Sequence, residues 1–266
     1  MLPGTQAVRY LASAPGPSER GTSDLAQPRL LAPFPASQPA PRHQPRWSAD
    51  GWVLARGGQN APALASGAAA YGGSQAGAVL RYAIAPSSPL RPQLYGRVAT
   101  ALADTVRDRE GALGLALRPL RHVPVAIMGE VRVQDSGGPV RARPVIMAVS
   151  ELAPVRLPLG TEAEVYGEAG WAGGHGATAF YDAAGVVEHS VVRPLPGVDL
   201  RLGGGLWTGG QRGAARLDLG PRIELRGAIG KPGKQIGVRL AVDWRFRVAG
   251  KAEPGSGPAI TLSAGF

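Results

Sequence analysis

Cysteine is absent from the 266 residues, so neither disulfides nor thiolate metal sites are available, and the redox compartment is left open. No stretch approaches the eighteen or so consecutive apolar residues of a membrane-spanning helix. That excludes helical spans but not barrel strands, which carry only a dyad signal. Residues 1–30 lack the apolar core of a secretory signal, since Tyr10-Leu11-Ala12 is far too short. A secreted barrel needs such a signal, so the chain reads as the C-terminal part of a longer protein. Only four histidines occur, and no two have helical metal-ligand spacing. Lysine is confined to Lys231, Lys234 and Lys251, so 26 of the 29 basic residues (29 − 3) are arginine. The formal charge is +10. The arginines are spread along many segments rather than clustered in one basic run, which argues against a nucleic-acid partner.

What is present is alternation. From Ile236 one face reads Ile236, Val238, Leu240, Val242, Trp244, Phe246, Val248, and the other Gly237, Arg239, Ala241, Asp243, Arg245, Arg247. Period-two patterning makes a strand with one apolar and one ionic side. After a Gly/Pro loop, Ile260, Leu262, Ala264 and the terminal Phe266 repeat it. A last strand finishing on Phe is similar to the assembly signal of bacterial outer-membrane barrels. Counting back, such runs occupy Gly51–Arg56, 75–84, Gln93–Leu102, Ala112–Arg118, Val123–Val133, Arg143–Glu151, Thr161–Trp171, Ala177–Val192, Val198–Thr208 and Ala215–Leu225. With the last two, about twelve strands are expected, an even number that suits a barrel with both termini in the periplasm.

Residues 1–46 differ in composition. Pro33-Phe34-Pro35 and the prolines from Pro39 to Pro45 can neither continue a helix nor donate to a ladder. They read as a disordered tail or linker, with 47–266 as the barrel domain. A soluble β-sandwich binding module also alternates, and it is the competing fold. Its ionic face would meet water, where Lys, Ser and Thr serve as well as Arg. Here that face mixes Arg with Glu and Asp among Gly and Ala, which suits a confined lumen whose charges pair across strands. Lipid-facing Arg would cost roughly 2–4 kcal/mol at the bilayer midplane, so segregation by face is what a barrel requires.

The expected lumen lining is Arg81, Arg97, Arg118, Glu130, Arg132, Arg143, Glu162, Glu164, Glu168, Arg201, Arg216, Asp218, Arg222, Glu224, Arg239, Asp243, Arg245 and Arg247. The three glutamates of 162–168 read as ion-pair partners of lumen arginines such as Arg143, Arg201 and Arg216, rather than as acid/base catalysts. Tyr82, Trp171, Trp244 and Phe246 on the apolar face, with Trp52 near a strand start, read as interfacial girdles. The expected assembly signal is Ile260, Leu262, Ala264 and Phe266.

Enzyme signals are weak. Gly230-Lys231-Pro232-Gly233-Lys234 lacks the glycine spacing and the Ser/Thr of a phosphate loop. Gly203-Gly204-Gly205 has no helix after it. His189 and Ser190 are adjacent, so in a strand they point to opposite faces and make a poor nucleophile–base pair. His122 and His175 fall at strand ends or turns, and His43 lies in the tail. The reading is therefore no enzyme, no metal and no cofactor.

Trp52 with Arg56-Gly57-Gly58, the run Tyr71-Gly72-Gly73-Ser74-Gln75-Ala76-Gly77, Val242-Asp243-Trp244-Arg245-Phe246 and the ending Thr261–Phe266 carry a family resemblance. From about Arg46 to Phe266 the chain resembles the C-terminal β-barrel domain of the bacteriophage adsorption protein A (NfrA) family. The resemblance implies a bacterial outer-membrane location, with membrane lipid and the barrel-assembly machinery as partners. It also implies helical periplasmic repeats ahead of the barrel, an architecture similar to exopolysaccharide exporters; no such repeats occur here. Two functions follow: a passive conduit for polysaccharide export, its Arg-rich lumen favouring anionic solutes, or a phage receptor or anchor with a plugged lumen.

Overall fold

The computed structural model describes residues 46–57, 73–102, 108–120, 122–174, 176–231, 234–252 and 254–266. The tail expected over 1–46 therefore lies, apart from Arg46, outside the described residues. So do His43, His175, Pro232, Gly233 and most of the loop 57–74.

Thirteen strands form one antiparallel sheet: β1 (Trp47–Arg56), β2 (Gln75–Ala83), β3 (Gln93–Ala101), β4 (Arg109–Leu117), β5 (Val125–Asp135), β6 (Arg141–Ser150), β7 (Val155–Arg156), β8 (Thr161–Ala172), β9 (Thr178–Leu195), β10 (Val198–Gln211), β11 (Ala214–Lys231), β12 (Lys234–Gly250) and β13 (Gly257–Gly265). Two pairings close it. β6 meets β8 through Val145↔Ala172 to Val149↔Glu168, and β1 meets β13 through Asp50↔Gly265 to Arg56↔Ala259. β7 is a two-residue spur on β8 that the sequence did not announce. The other twelve strands are the wall, and each grows from one of the twelve alternating runs. The competing two-sheet sandwich is excluded by closure.

The closed sheet is inside out relative to a soluble protein. Leu113 is 70% exposed, Val98 60%, Val131 58% and Ile146 56%, whereas Arg97, Glu130, Asp218, Glu224, Arg239 and Asp243 are buried. An apolar belt around the whole circumference far exceeds the few hundred Å² that a water-exposed monomer shows. β1–β6 carry 9–11 residues each. At ~3.3 Å per residue and ~45° tilt, that length spans a hydrocarbon core. Its fold is a twelve-stranded transmembrane β-barrel.

Trp47 and Phe266 mark one rim, here the terminal rim, where Ala49 and Phe266 exchange backbone hydrogen bonds at 3.0 and 3.2 Å. Ile260, Leu262 and Phe266 are exposed on the outer wall, with Ala264 on the same face. Outer aromatics fall at both ends. Trp47 packs on Tyr82 (4.8 Å between ring centroids) at the terminal rim, and Trp171, Trp244 and Phe246 stand toward the far rim. Trp52 corrects the girdle expectation. It shares the parity of Asp50 and Leu54, points inward and is 5% exposed. A β-carbon on Gly77 would lie 2.3 Å from its ring, so the absence of a side chain there makes the room.

Close strand approach sets a second requirement for glycine. Pro221 sits within β11, where it cannot donate to a ladder, and beside it a β-carbon on Gly220 would fall 1.7 Å from the Trp244 carbonyl oxygen. Gly220→Ala is expected to cost the folded barrel about 1–3 kcal/mol by forcing β11 and β12 apart. Gly129→Ala, with nothing within 4 Å of the added carbon, should stay within about 0.5 kcal/mol of the parent. Urea titration of the heat-modifiable folded band compares the two; equal midpoints would refute the account.

Candidate functional site: an ion-paired lumen

Alternation places every second side chain of each wall strand inside, and the inside divides in two. Along β8–β12 it is ionic. Arg226 reaches four carboxylates: Glu162 and Glu164 at 2.8 Å, Glu224 at 2.9 Å and Glu188 at 3.3 Å. Arg222 donates to Glu188 (2.8 Å), Glu224 (2.6 Å) and Asp243 (2.9 Å). Arg239 bonds Glu164 through Nη1 at 2.8 Å and lies 3.3 Å from Glu224. Arg201 joins Asp199, Glu162 and Glu188 at 3.2–3.5 Å. Because β8 and β12 are four positions apart in the wall, the Arg239–Glu164 pair crosses the lumen instead of following the sheet.

The reach comes from side-chain length, and the inner glycines of β10 and β11 serve close packing. Gly203 stands opposite Arg222, and Gly205 opposite Gly220. A β-carbon on Gly203 would lie 2.0 Å from the Val187 carbonyl oxygen and one on Gly205 2.4 Å from the Trp207 ring, so these glycines admit the neighbouring strand and the indole. Arg245 bonds Asp243 at 2.9 Å and lies over the Trp207 ring at 4.3 Å, stacking that a lysine would not reproduce.

On the β1–β6 side the lumen is filled differently. Val145, Met147 and Val149 of β6 point inward and join Trp52, Tyr95 and Phe180 in a buried apolar cluster. Within it a compact ionic knot is held. Arg97 donates from Nε (3.0 Å) and Nη2 (2.7 Å) to Glu130 and lies 2.6 Å from Glu110, Arg132 donates to Glu130 at 2.8 Å, and the Tyr95 hydroxyl donates to it at 2.8 Å. Between the halves, a cavity lined by Trp52, Trp207, Arg222, Glu224, Arg239 and Arg245 measures only about 30 Å³. That is room for about one water. The lumen is closed at this height.

At the far rim, Arg56 and Arg216 share Asp218, each with a nitrogen 3.0 Å from its Oδ2. Arg56 Nη2, Arg216 Nη1 and Arg247 Nη1 also donate to carbonyl oxygens of the β12–β13 connection.

Of the residues expected to line the lumen, Arg97, Glu130, Arg132, Glu164, Glu168, Arg201, Arg216, Asp218, Arg222, Glu224, Arg239, Asp243 and Arg245 are buried, and partners differ across the set. Arg81 pairs with Asp50 at 2.5 Å, and Arg118 with Glu151 (Nε at 2.8 Å) at the terminal rim. Of the three arginines assigned to the 162–168 glutamates, Arg201 meets Glu162 at 3.3 Å. Arg143 donates to the carbonyls of Gly173 (2.9 Å), Ala172 (3.4 Å) and Gly176 (2.9 Å), and Arg216 turns to Asp218. Glu168 accepts the Tyr166 hydroxyl at 2.6 Å. The Arg-rich, anion-favouring lumen does not describe mid-barrel, where Arg201, Arg222, Arg226, Arg239 and Arg245 are matched by Glu162, Glu164, Glu188, Asp199, Glu224 and Asp243.

Several inner charges escaped the sequence reading. Arg226 lies two residues beyond Glu224, and Arg56 two beyond Leu54; carrying the parity one step further finds both. Glu110 precedes the point at which the β4 pattern was recognised. Asp182 and Glu188 sit in β9, where alanine and glycine on both faces blur the alternation. His189 is exposed on the outer face, and Ser190 instead donates to Asp199 from the inner one. Among the described residues no group of three or more His, Cys, Asp or Glu is arranged to hold a metal.

No family model matches the chain, and no curated protein matches it. Among solved structures it is similar to the KdgM porin, at 9% identity over 82% of this chain and 98% of that one, with a TM-score of 0.37. It is also similar to the β domain of the Bordetella autotransporter BrkA (10% identity, 83% and 97% covered, TM-score 0.39) and to a bacterial polysaccharide outer membrane secretin (8%, 83% and 97%, 0.39).

Removing one side of the cross-lumen pair tests the lattice. Glu164→Ala leaves Arg239 and Arg226 short of an anion in a buried setting, where breaking a pair costs up to about 3–5 kcal/mol. The surviving Glu224, Glu162 and Glu188 contacts should hold the loss to about half that. A drop in the urea midpoint of the folded band, larger for Glu164→Ala than for the less buried Glu151→Ala, is the expected result.

Proposed function

We propose that the chain is a bacterial outer-membrane conduit that rests closed, its barrel spanning 47–266 behind the linker of 1–46. The observation that carries this reading is the chemistry of the closure. A barrel that only needed a stopper would be served by apolar packing, since a buried ion pair replaced by hydrophobic residues of similar volume is often neutral or stabilising. An ionic lattice differs in that water can take over each bond, so the β8–β12 side of the lumen can swell and admit solute. The resemblance to the NfrA C-terminal barrel favours a place in envelope polysaccharide export, with periplasmic repeats supplied by another chain or by a longer form of this one. Membrane lipid and the barrel-assembly machinery are the partners such a protein needs.

The second reading, a surface receptor or anchor for phage adsorption, is favoured by the cavity of about 30 Å³, too small for a static pore. Against a receptor stand the short far-rim connections at 136–140, 212–213 and 251–256, while the far-rim connection at 57–74 is long.

Single-channel recording of the full chain refolded in a planar bilayer decides between them. The parent should show rare, brief steps, and the double variant Glu164→Gln/Arg239→Gln discrete, salt-dependent steps with open probability up at least about tenfold. Silence from both, with the heat-modifiable band intact, would remove the conduit and leave the receptor or anchor.

A further inference from the structure

At the terminal rim two hairpins carry the wall past its neighbours. β8 begins at Thr161, opposite His189, while β9 runs on to Leu195 before β10 starts at Val198. Asp199 stands opposite Arg226, and β11 continues beyond that pair to Lys231. β12 starts at Lys234, ahead of the Gly237↔Gly265 pair at the end of β13. The outer face of the β11–β12 hairpin is a ladder of cross-strand pairs: Ile223↔Val242, Leu225↔Leu240, Gly227↔Val238, Ile229↔Ile236 and, last, Lys231↔Lys234. Ile229 is 66% exposed and Ile236 44%. The β9 tip has the same chemistry, since Val191, Arg193 and Leu195 are exposed and alternation puts them on one face. Neither tip, 189–198 or 225–238, contains an acidic residue.

Two effects act together on the β11–β12 tip. Its apolar ladder is continuous with the lipid-facing wall, so the acyl chains that cover Leu240 and Val242 extend over Ile229 and Ile236. Beyond them, like charges directly opposite each other on paired strands repel, so Lys231 against Lys234 is unfavourable until an anion lies between the two ammonium groups. Lysine stems lie along apolar surface while the charged heads reach the lipid headgroups, and the Trp47–Tyr82 pair marks the headgroup level at this rim. We infer that Ile229, Ile236, Lys231 and Lys234 form a binding site for an anionic phospholipid. The phosphate sits between the two ammonium groups and the acyl chains run along the isoleucines. Arg193, on the hairpin that flanks β10 from the other side, adds a second cationic point for the same leaflet. An acidic protein would meet the same charges, but the unbroken run from lipid-facing wall to isoleucine pair favours lipid. The site rests on how the barrel sits in the bilayer and not on the conduit reading.

The full chain, refolded in neutral detergent micelles, is titrated with phosphatidylglycerol and with phosphatidylcholine of the same acyl length, and bound lipid is counted by native mass spectrometry. Phosphatidylglycerol should bind at least about tenfold more tightly, at roughly fivefold for each cation. Lys231→Gln/Lys234→Gln should remove most of that preference, and Arg193→Gln a smaller share. Ile229→Ser/Ile236→Ser should weaken both lipids alike. Arg212→Gln/Lys251→Gln, at the far rim, should leave the preference unchanged, with the heat-modifiable band reporting a folded barrel in every variant. Equal binding of the two lipids by the parent would overturn the inference and leave the tip to an acidic protein. A preference lost equally in the far-rim variant would overturn it too, since net charge alone would then be the cause. Competition by free glycerol phosphate as strong as that of the lipid would replace the phospholipid by a soluble anion.

Discussion

Pairing of buried guanidinium with buried carboxylate is the constraint on which the rest of the barrel depends. A ring of twelve strands is too wide for small side chains to fill and too narrow to leave its contents fully hydrated. Long side chains must therefore reach the axis, and charged ones pay heavily unless each finds an opposite charge. This accounts for choices spread over the whole sequence. Arginine displaces lysine because a planar fork can serve several acceptors, as Arg226 does with four carboxylates. Glycine recurs on the inner face of β10 and β11 because neighbouring strand backbone and the Trp207 ring occupy the space a side chain would need. Inner and outer residues alternate with few errors because one register slip would send this charge into lipid.

That same constraint decides what could be read in advance. Strand existence was legible because lipid outside and charge inside sharpen period-two alternation, as in β11 and β12. β6 was hard to read because Val145, Met147 and Val149 face inward while Ile146 faces out, so its two sides look alike. β9 was blurred by small residues, and Glu188, among the most connected carboxylates of the lattice, was lost with it. Partner choice was not legible at all. Whether Glu164 meets Arg216 or Arg239 depends on curvature and tilt, which set the strands facing each other across the axis and leave no mark on local pattern. Trp52 shows the limit from the other side. Its chemistry suits an interface, but parity and the vacancy at Gly77 place it inside.

The division of the lumen bears on how such a barrel could work. The apolar cluster on the β1–β6 side resembles an ordinary core: its contacts are lost if water enters, so it resists opening and stiffens half the wall. The ionic side has no such penalty. Each Arg–Glu bond exchanged for two water-bonded ions costs little net free energy once the first waters are in, because hydration returns what desolvation took. On the proposed conduit reading, opening would be one-sided. It would follow β11 and β12, where Arg216, Arg245, Arg222 and Arg239 stand at successive heights. An apolar stopper would have given a comparably stable barrel without that freedom, and this is the strongest physical reason to regard the closure as a resting state.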